Sequence, residues 1–292
     1  MLLIVGEAIV VYQRDLGAGG SAPDTPYSGP WPSGAPAIAA YVAARLGVPT
    51  AFVGGVGRDP HGQVMRDGLD AGGVDLGHLV EVEGAPTATA HITYRGEGHR
   101  EFDFAVAGTA ATRVTEADLG DLPERATWLH LSGSALIFGE PLAATALAAL
   151  HRAHRAGARV SVDPNVRPES MSPATVRALL DALPLAHVLL PTEGELEALG
   201  ADVDALVAGG ATVCTTRGPA GAVVRDATGS TPVEAPPIEP VDTDGAGDSF
   251  AGGFIAASLA GAGPRAAARA GVAVAGQAVR VTGPMTVVPS LP

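Results

Sequence analysis

Short runs that are apolar at consecutive positions recur along the chain, at residues 2–5, 50–53, 128–131, 159–162, 188–190 and 212–215. Continuous apolarity, in place of alternation, predicts strands covered on both faces. Alanine-rich stretches of helical period lie between them. In residues 141–156, Leu142, Leu147 and Leu150 share a face, Pro141 suits the first turn and Gly157 supplies the stop. Strand and helix in alternation predict a doubly wound α/β core, with a mostly parallel sheet flanked by helices and ligands at the strand ends. Two regions break the rhythm. Residues 10–36 are rich in Gly, Ser and Pro, and in residues 86–107 Thr87, Thr89, His91, Thr93 and then Phe102 and Phe104 alternate with other side chains. That pattern predicts a small antiparallel sheet, a lid, within one domain spanning 1–292.

Composition narrows the chemistry. The 292 residues are 47% hydrophobic and 17% charged, and 39 Gly with 24 Pro exclude a helical bundle. A net charge of −13 argues against duplex nucleic acid or an anionic membrane as partner. No apolar run approaches the roughly 18 residues of a membrane span. Every cation among the 18 Lys and Arg is Arg, so a P-loop lysine, a Schiff-base lysine and a protein-kinase lysine are all excluded. Cys214 is alone, which leaves no disulfide framework and marks it as inert core. The N-terminus reads as a buried first strand, not a signal peptide, and the expected setting is the reducing cytoplasm. His151 and His154, flanked by Arg152 and Arg155, read as solvated.

The most informative stretch is Asp242-Thr-Asp244-Gly245-Ala246-Gly247-Asp248, which runs directly into an apolar helix. Unpaired N–H groups at a helix start converge on one small volume and favour an anion, and a carboxylate in the first turn stays ionised there. Other readings compete: Asp248 as a simple cap, or the run as a calcium loop, although the terminal Glu of an EF-hand is missing. Neither this run nor Gly54-Gly-Val-Gly57 fits a dinucleotide fingerprint between strand and helix.

With Ser-Phe-Ala-Gly-Gly-Phe after it, the 242–248 segment resembles the C-terminal signature of the ribokinase-like (PfkB) carbohydrate kinases. The run that opens Ser33-Gly34-Ala35-Pro-Ala-Ile38 and extends to Gly47 resembles the family's N-terminal sugar-site signature, and Phe52-Val-Gly-Gly-Val-Gly57-Arg-Asp59-Pro-His-Gly62 the segment after it. Pro86-Thr-Ala-Thr, Asp163-Pro-Asn165-Val-Arg167 and Thr216-Arg-Gly218-Pro-Ala-Gly221 follow in the family's order. The resemblance implies ATP-dependent transfer of a γ-phosphoryl group to a sugar hydroxyl, chemistry that needs positioning and charge neutralisation more than a lysine.

By the same resemblance Asp248 is the base, and the amides of Gly245, Ala246 and Gly247 hold the developing charge. Gly34, Ala35, Arg100, Asn165 and Arg167 meet the sugar, Arg167 being either a phosphate clamp or a surface arginine. Thr192, Thr216, Gly218, Gly221, Gly245 and Gly247 approach ATP. Glu195 organises Mg²⁺ through water, unless residues 193–197 are ordinary first-turn acids. Asp242, Asp244 and Gly283 border a site for a monovalent cation such as K⁺. A homodimer through the lid is expected, and no further macromolecular partner. Trp31, Phe102 and Phe104 either face the sugar or serve sheet packing.

Several positions depart from the commonest family pattern: Val11 stands for an Asp, Ser33 for a Gly, Ile38 for an Asn, Val272 for an adenine-side Asn, and Asp244 precedes Gly-Ala-Gly. The sugar pocket is therefore expected to be less polar than in a typical ribokinase. Two readings fit: a kinase whose substrate is read by other groups, including Arg100, Arg167 and His130-Leu-Ser132-Gly-Ser134, or a sugar or nucleotide binder with impaired catalysis. For the kinase, fructose and 2-keto-3-deoxygluconate are equally compatible acceptors.

Overall fold

The structure, a computed structural model, describes residues 1–16, 24–95, 99–167 and 170–291, and for residues 99 and 100 the backbone alone. Its large sheet is centred on β1 (Leu2–Val5), paired in parallel with β4 (Thr50–Gly57) on one side and β8 (Trp128–Ser132) on the other. Outward from β4 lies β5 (Leu79–Val82); outward from β8 lie β9 (Arg159–Asp163), β10 (Val188–Leu189) and β11 (Thr212–Thr216), all parallel. Two antiparallel strands, β12 (Ala222–Asp226) and β13 (Gly229–Val233), finish that edge. Each predicted run is found as a strand of this sheet.

Consecutive apolar residues in these strands serve opposite faces, because side chains alternate across a sheet. Leu2, Ile4, Phe52 and Trp128 pack on the side of helices Ala35–Arg45, Ala246–Leu259 and Pro264–Ala278. Leu3, Val5, Val53, Leu129, Leu131 and Val160 pack on the side of helices Leu142–Arg155 and Pro173–Ala182. Fully burying each such side chain contributes roughly 1.5–3 kcal/mol, so an acid inside any of these runs would disrupt the core. The helix predicted at 141–156 is found at Leu142–Arg155.

The second sheet contains β3 (Ser28–Ser33), β2 (Ile9–Asp15), β6 (Ala88–Arg95) and β7 (His99–Ala105) in that order. It falls within the two stretches read as a lid, with one difference from the expected antiparallel sheet: its middle pair, β2 and β6, is parallel. The reason lies in the core. Each of these strands follows a core strand, β1 or β5, and leaves the carboxyl end of the same parallel sheet. The outer pairs, β2 with β3 and β6 with β7, are antiparallel.

Asp59 holds the point where the chain leaves core strand β5 for the second sheet. Its Oδ1 accepts the Gly62 N–H at 2.7 Å and so caps helix Pro60–Gly72, while Oδ2 accepts the Thr87 N–H at 2.8 Å. The inner face of the lid, with Ile9, Val11, Ala90 and Ile92, is thereby set over the carboxyl ends of the core strands.

Candidate active site

Two hollows meet at the start of helix Ala246–Leu259. An open cleft of ≈ 400 Å³ is walled by Thr192, Thr216, Gly218 and Gly221 at one end and by Pro236, Ile238, Pro240, Val272 and Val279 at the other. Beneath the lid lies a tighter cavity of ≈ 40 Å³. Its apolar wall includes Ile9, Val11, Ile38, Ile92, Phe102, Phe104 and Phe138; Glu7, Ser33, Ser134, Arg167, Asp244 and Asp248 supply its polar groups. Ala246 and Gly247 line the cleft while Asp248 lines the cavity, so the first helical turn divides the two.

The turn before that helix is held from several sides. Gly245 caps it at φ 73°, a left-handed conformation that favours glycine, and an added Cβ would come within 2.9 Å of the Ile38 side chain. Asp242 Oδ1 accepts the Asp244 N–H at 2.9 Å and the Tyr94 hydroxyl of β6 at 2.6 Å; Oδ2 accepts the Gly283 N–H at 2.8 Å. Gln13 of β2 donates to Asp244 at 3.3 Å. The lid is thus bonded to the loop that presents the amides. Gly247 and Asp248, in the first turn, have no preceding helical carbonyl to receive their N–H groups.

Asp248 keeps part of its surface open to the cavity. The surrounding protein still desolvates it enough, with Asp244 adding like charge and Arg167 opposing, to push its carboxyl up from 3.8 to about 7. Burial does the same to Glu7, also up to about 7, against the Ser134 hydroxyl that hydrogen-bonds it. Arg167 stacks over Phe102 at 4.8 Å and over Phe104 at 5.4 Å. Its charge acts on Glu7, Asp163, Glu195 and Asp248 together.

Behind Arg167, Asp163 at the end of β9 is buried, and burial followed by the charges of Glu195 and Asp248 holds its carboxyl well above the usual range. Glu195 is raised by burial, although its oxygens accept the N–H groups of Val166 and Thr192, each at 2.8 Å. Hard oxygen donors crowded in this way fit a divalent cation, whose charge would relieve the repulsion. Among the described residues no group of three or more His, Cys, Asp or Glu is placed to ligate a metal directly.

The cleft brings together Thr192, Thr216, Gly218, Gly221 and Gly247; the cavity brings together Gly34, Ala35, Arg167 and Asp248. Gly245 is in neither wall and serves the turn. Asn165 sits at φ 45° on the turn after β9, its N–H held by Asp163 at 2.9 Å, and does not line the cavity. Arg100 lies on β7, and its side chain is outside the described residues. Phe102 and Phe104 face the cavity, whereas Trp31 packs on Gly283, where an added Cβ would lie 2.5 Å from the indole. Val11 and Ile38 line the cavity and Val272 the cleft, so these departures in sequence fall on the walls of the two hollows. Burial pushes the Cys214 thiol up to about 12, as befits inert core.

Glu7 and Asp163 were not singled out as site residues from sequence. Glu7 stands directly beyond a buried strand, and Asp163 ends one and opens the Asp163-Pro-Asn165-Val-Arg167 run.

A family model described as pfkB family carbohydrate kinase matches residues 2–291. A fructokinase of Salmonella typhimurium is 38% identical over 242 residues, covering 78% of this chain and 77% of its own length. Among solved structures, a ribokinase II from E. coli in complex with ATP and Mg²⁺ superposes with a TM-score of 0.88 at 31% identity, covering 97% of this chain and 94% of its own. Fructokinase from Vibrio cholerae O395 with fructose, ADP and calcium ion bound superposes with a TM-score of 0.84 at 28% identity, covering 99% and 95%.

Proposed function

The chain belongs to the pfkB family of carbohydrate kinases, and from that premise we propose that its acceptor is a neutral ketose of the fructose type, bound in the cavity beneath the lid. The chain is an ATP-dependent sugar kinase, a phosphotransferase with an alcohol group as acceptor. The choice of a neutral sugar rests on charge. Glu7, Asp244 and Asp248 line the cavity with Arg167 as the cation in its wall, and that guanidinium is already shared with Asp163 and Glu195. Among the described side chains of the cavity no second cation stands ready for the further carboxylate that a sugar acid would bring. Neutral hydroxyls meet carboxylate oxygens as donors to acceptors.

In this reading ATP occupies the open cleft with its phosphates toward Thr192, Thr216, Gly218 and the first turn of helix Ala246–Leu259. Asp248 accepts the proton of the attacking hydroxyl, a role suited to a carboxyl poised near neutrality. The amides of the Gly245–Gly247 turn face the charge developing on the phosphoryl oxygens, and Arg167 offsets that charge from the cavity side. Asp163 and Glu195 would hold a divalent metal through water, where its charge would offset that of the phosphates. Backbone carbonyls near Asp242, Asp244 and Gly283 would hold a monovalent cation such as K⁺. Closure of the lid excludes water that would compete with the hydroxyl. A second copy pairs through the lid, where the rings of Tyr12, His91 and Tyr27 form a cluster with centroids 5.2 and 5.0 Å apart.

The test is ADP release from Mg·ATP with K⁺ present, comparing fructose with 2-keto-3-deoxygluconate. Turnover on fructose that disappears in Asp248→Asn is the expected result. Turnover on the sugar acid alone would overturn the assignment of the acceptor, and undiminished activity in Asp248→Asn that of the base.

A further inference from the structure

Glu7 follows directly from β1 and is only 1% exposed. Its backbone is fixed: Gly34 approaches so closely that an added Cβ would come within 2.6 Å of the Glu7 carbonyl oxygen. Its side chain lines the cavity among Ile9, Val11, Ile38 and Phe138, with Ser134 hydrogen-bonded to the carboxyl. The second carboxyl oxygen, Oε2, is fully buried and has no hydrogen-bond partner among the described residues.

A buried carboxyl oxygen without a partner costs stability, and a packing role would be better served by an apolar residue of similar volume. Glu7 does not cap the neighbouring helix Ala35–Arg45, which has no side-chain cap. Its attraction to Arg167 is an interaction of charges and leaves Oε2 without a hydrogen bond. The partner must therefore come from the cavity, and the molecules that enter it carry hydroxyl groups.

We infer that Glu7 is a specificity-determining residue for the acceptor, its Oε2 paired with one hydroxyl of the bound sugar that is not the hydroxyl phosphorylated at Asp248. This rests on the reading of the cavity as the acceptor site. The pairing fixes how the sugar lies under the lid, since Ile9, Val11 and Ile92 on the apolar wall contact it without discriminating among hydroxyls. A site built around such a pair rejects the analogue that lacks the hydroxyl more strongly than a purely apolar wall could.

The test uses the full chain in three forms: wild type, Glu7→Leu and Glu7→Gln. Leucine removes the polar group at similar size, and glutamine keeps hydrogen-bonding capacity. In Glu7→Leu the KM for sugar is expected to rise by roughly tenfold or more, the loss of one hydrogen bond to a charged group, while the KM for ATP stays the same. Its melting temperature without sugar stays level or rises, because an unpaired buried carboxyl has gone. Glu7→Gln recovers part of the sugar affinity.

A series of monodeoxy sugars completes the test. One analogue, lacking the paired hydroxyl, is a poor substrate for wild type and is no worse for Glu7→Leu. An unchanged sugar KM in both variants, or an equal loss for every analogue accompanied by a lower melting temperature, would overturn the proposal. Asp248→Asn separates this outcome from failure of the site itself. If that variant still turns over, the cavity is not the acceptor site; if it is dead while the Glu7 variants behave as wild type, only the role of Glu7 falls.

Discussion

The cavity proposed for the acceptor and the cleft proposed for the nucleotide share one helical turn and are built on opposite principles. The cavity, at ≈ 40 Å³, places Glu7, Asp244, Asp248 and Arg167 in an apolar shell; the cleft, at ≈ 400 Å³, is open and walled by Pro236, Ile238, Pro240, Phe250, Val272 and Val279. In the first, few polar groups are held where desolvation strengthens each of them. In the second, side-chain hydroxyls come from threonines, and much of the recognition falls to shape and backbone N–H groups. A kinase gains from that division. Its acceptor must be chosen and positioned against one base, whereas its donor need only deliver a phosphoryl group to the same turn.

The strongest way to break this comparison is to remove the proposed base. Asp248→Asn should lower kcat by roughly 10²–10⁴, the usual contribution of general base catalysis, while nucleotide binding measured by thermal shift persists. Equal loss of both would mean that the two hollows are not independent. A smaller effect is expected on the other side of the turn. An added Cβ at Gly247 meets no atom within 4 Å, in contrast to Gly245, so Gly247→Ala leaves the fold intact and places its methyl where the phosphates would lie. We expect about a 10²-fold loss in kcat/KM for ATP from misplacement of the donor, with sugar-induced stabilisation retained. A lowered melting temperature with normal ATP kinetics would assign Gly247 to the fold instead.

The pH dependence sharpens the contrast from the cavity side. Asp248 must be ionised to accept a proton, so kcat/KM should fall below about pH 7, well above the ordinary carboxylate range. Desolvation is the larger cause of that shift and Asp244 the next, so Asp244→Asn should move the acid limb to lower pH without abolishing it. Stability runs the other way. Glu7 and Asp248 are raised in the folded chain from 4.5 and 3.8 to about 7, so between those values the native state binds more protons than the unfolded state. The melting temperature of the free protein should therefore decline as pH rises through 7, in the range where activity rises. Parallel changes in both would contradict the environment assigned to these carboxyls.

Much of this arrangement was legible in sequence, for local reasons. Runs such as Leu2-Leu-Ile-Val5 announce a two-sided strand by themselves, and the 242–248 run announces an amide nest because turn, carboxylate and helix are contiguous. Strands β5, β12 and β13 were not predicted: each is only partly buried, and polar residues or Pro interrupt its apolar pattern. Glu7 and Asp163 escaped for a different reason. Nothing within either segment, not even the Asp163-Pro-Asn165-Val-Arg167 run, tells that the acid meets distant groups; it is the strand order β9, β8, β1 that gathers the ends of distant strands at one place. The parallel pairing of β2 with β6 was equally a consequence of where their parent strands end, which no local alternation records.

The smallest effect expected concerns the base of the nucleotide, and it tests the other half of the comparison. Beyond the threonines, the described side chains lining the cleft carry no hydrogen-bonding group, and Val272 presents methyls where a reader of the base edge could stand. An apolar wall rejects a similar-sized ligand weakly, whereas a site that hydrogen-bonds its ligand rejects the wrong one by about 10⁴ or more. GTP and ITP should therefore support turnover within roughly a hundredfold of ATP. Val272→Asn should change the ATP to GTP ratio by roughly tenfold, the scale of one added hydrogen bond, while leaving the sugar KM untouched. Strict use of ATP by the unaltered chain would show that backbone groups of the cleft read the base. The donor side would then share the specificity that the comparison assigns to the cavity.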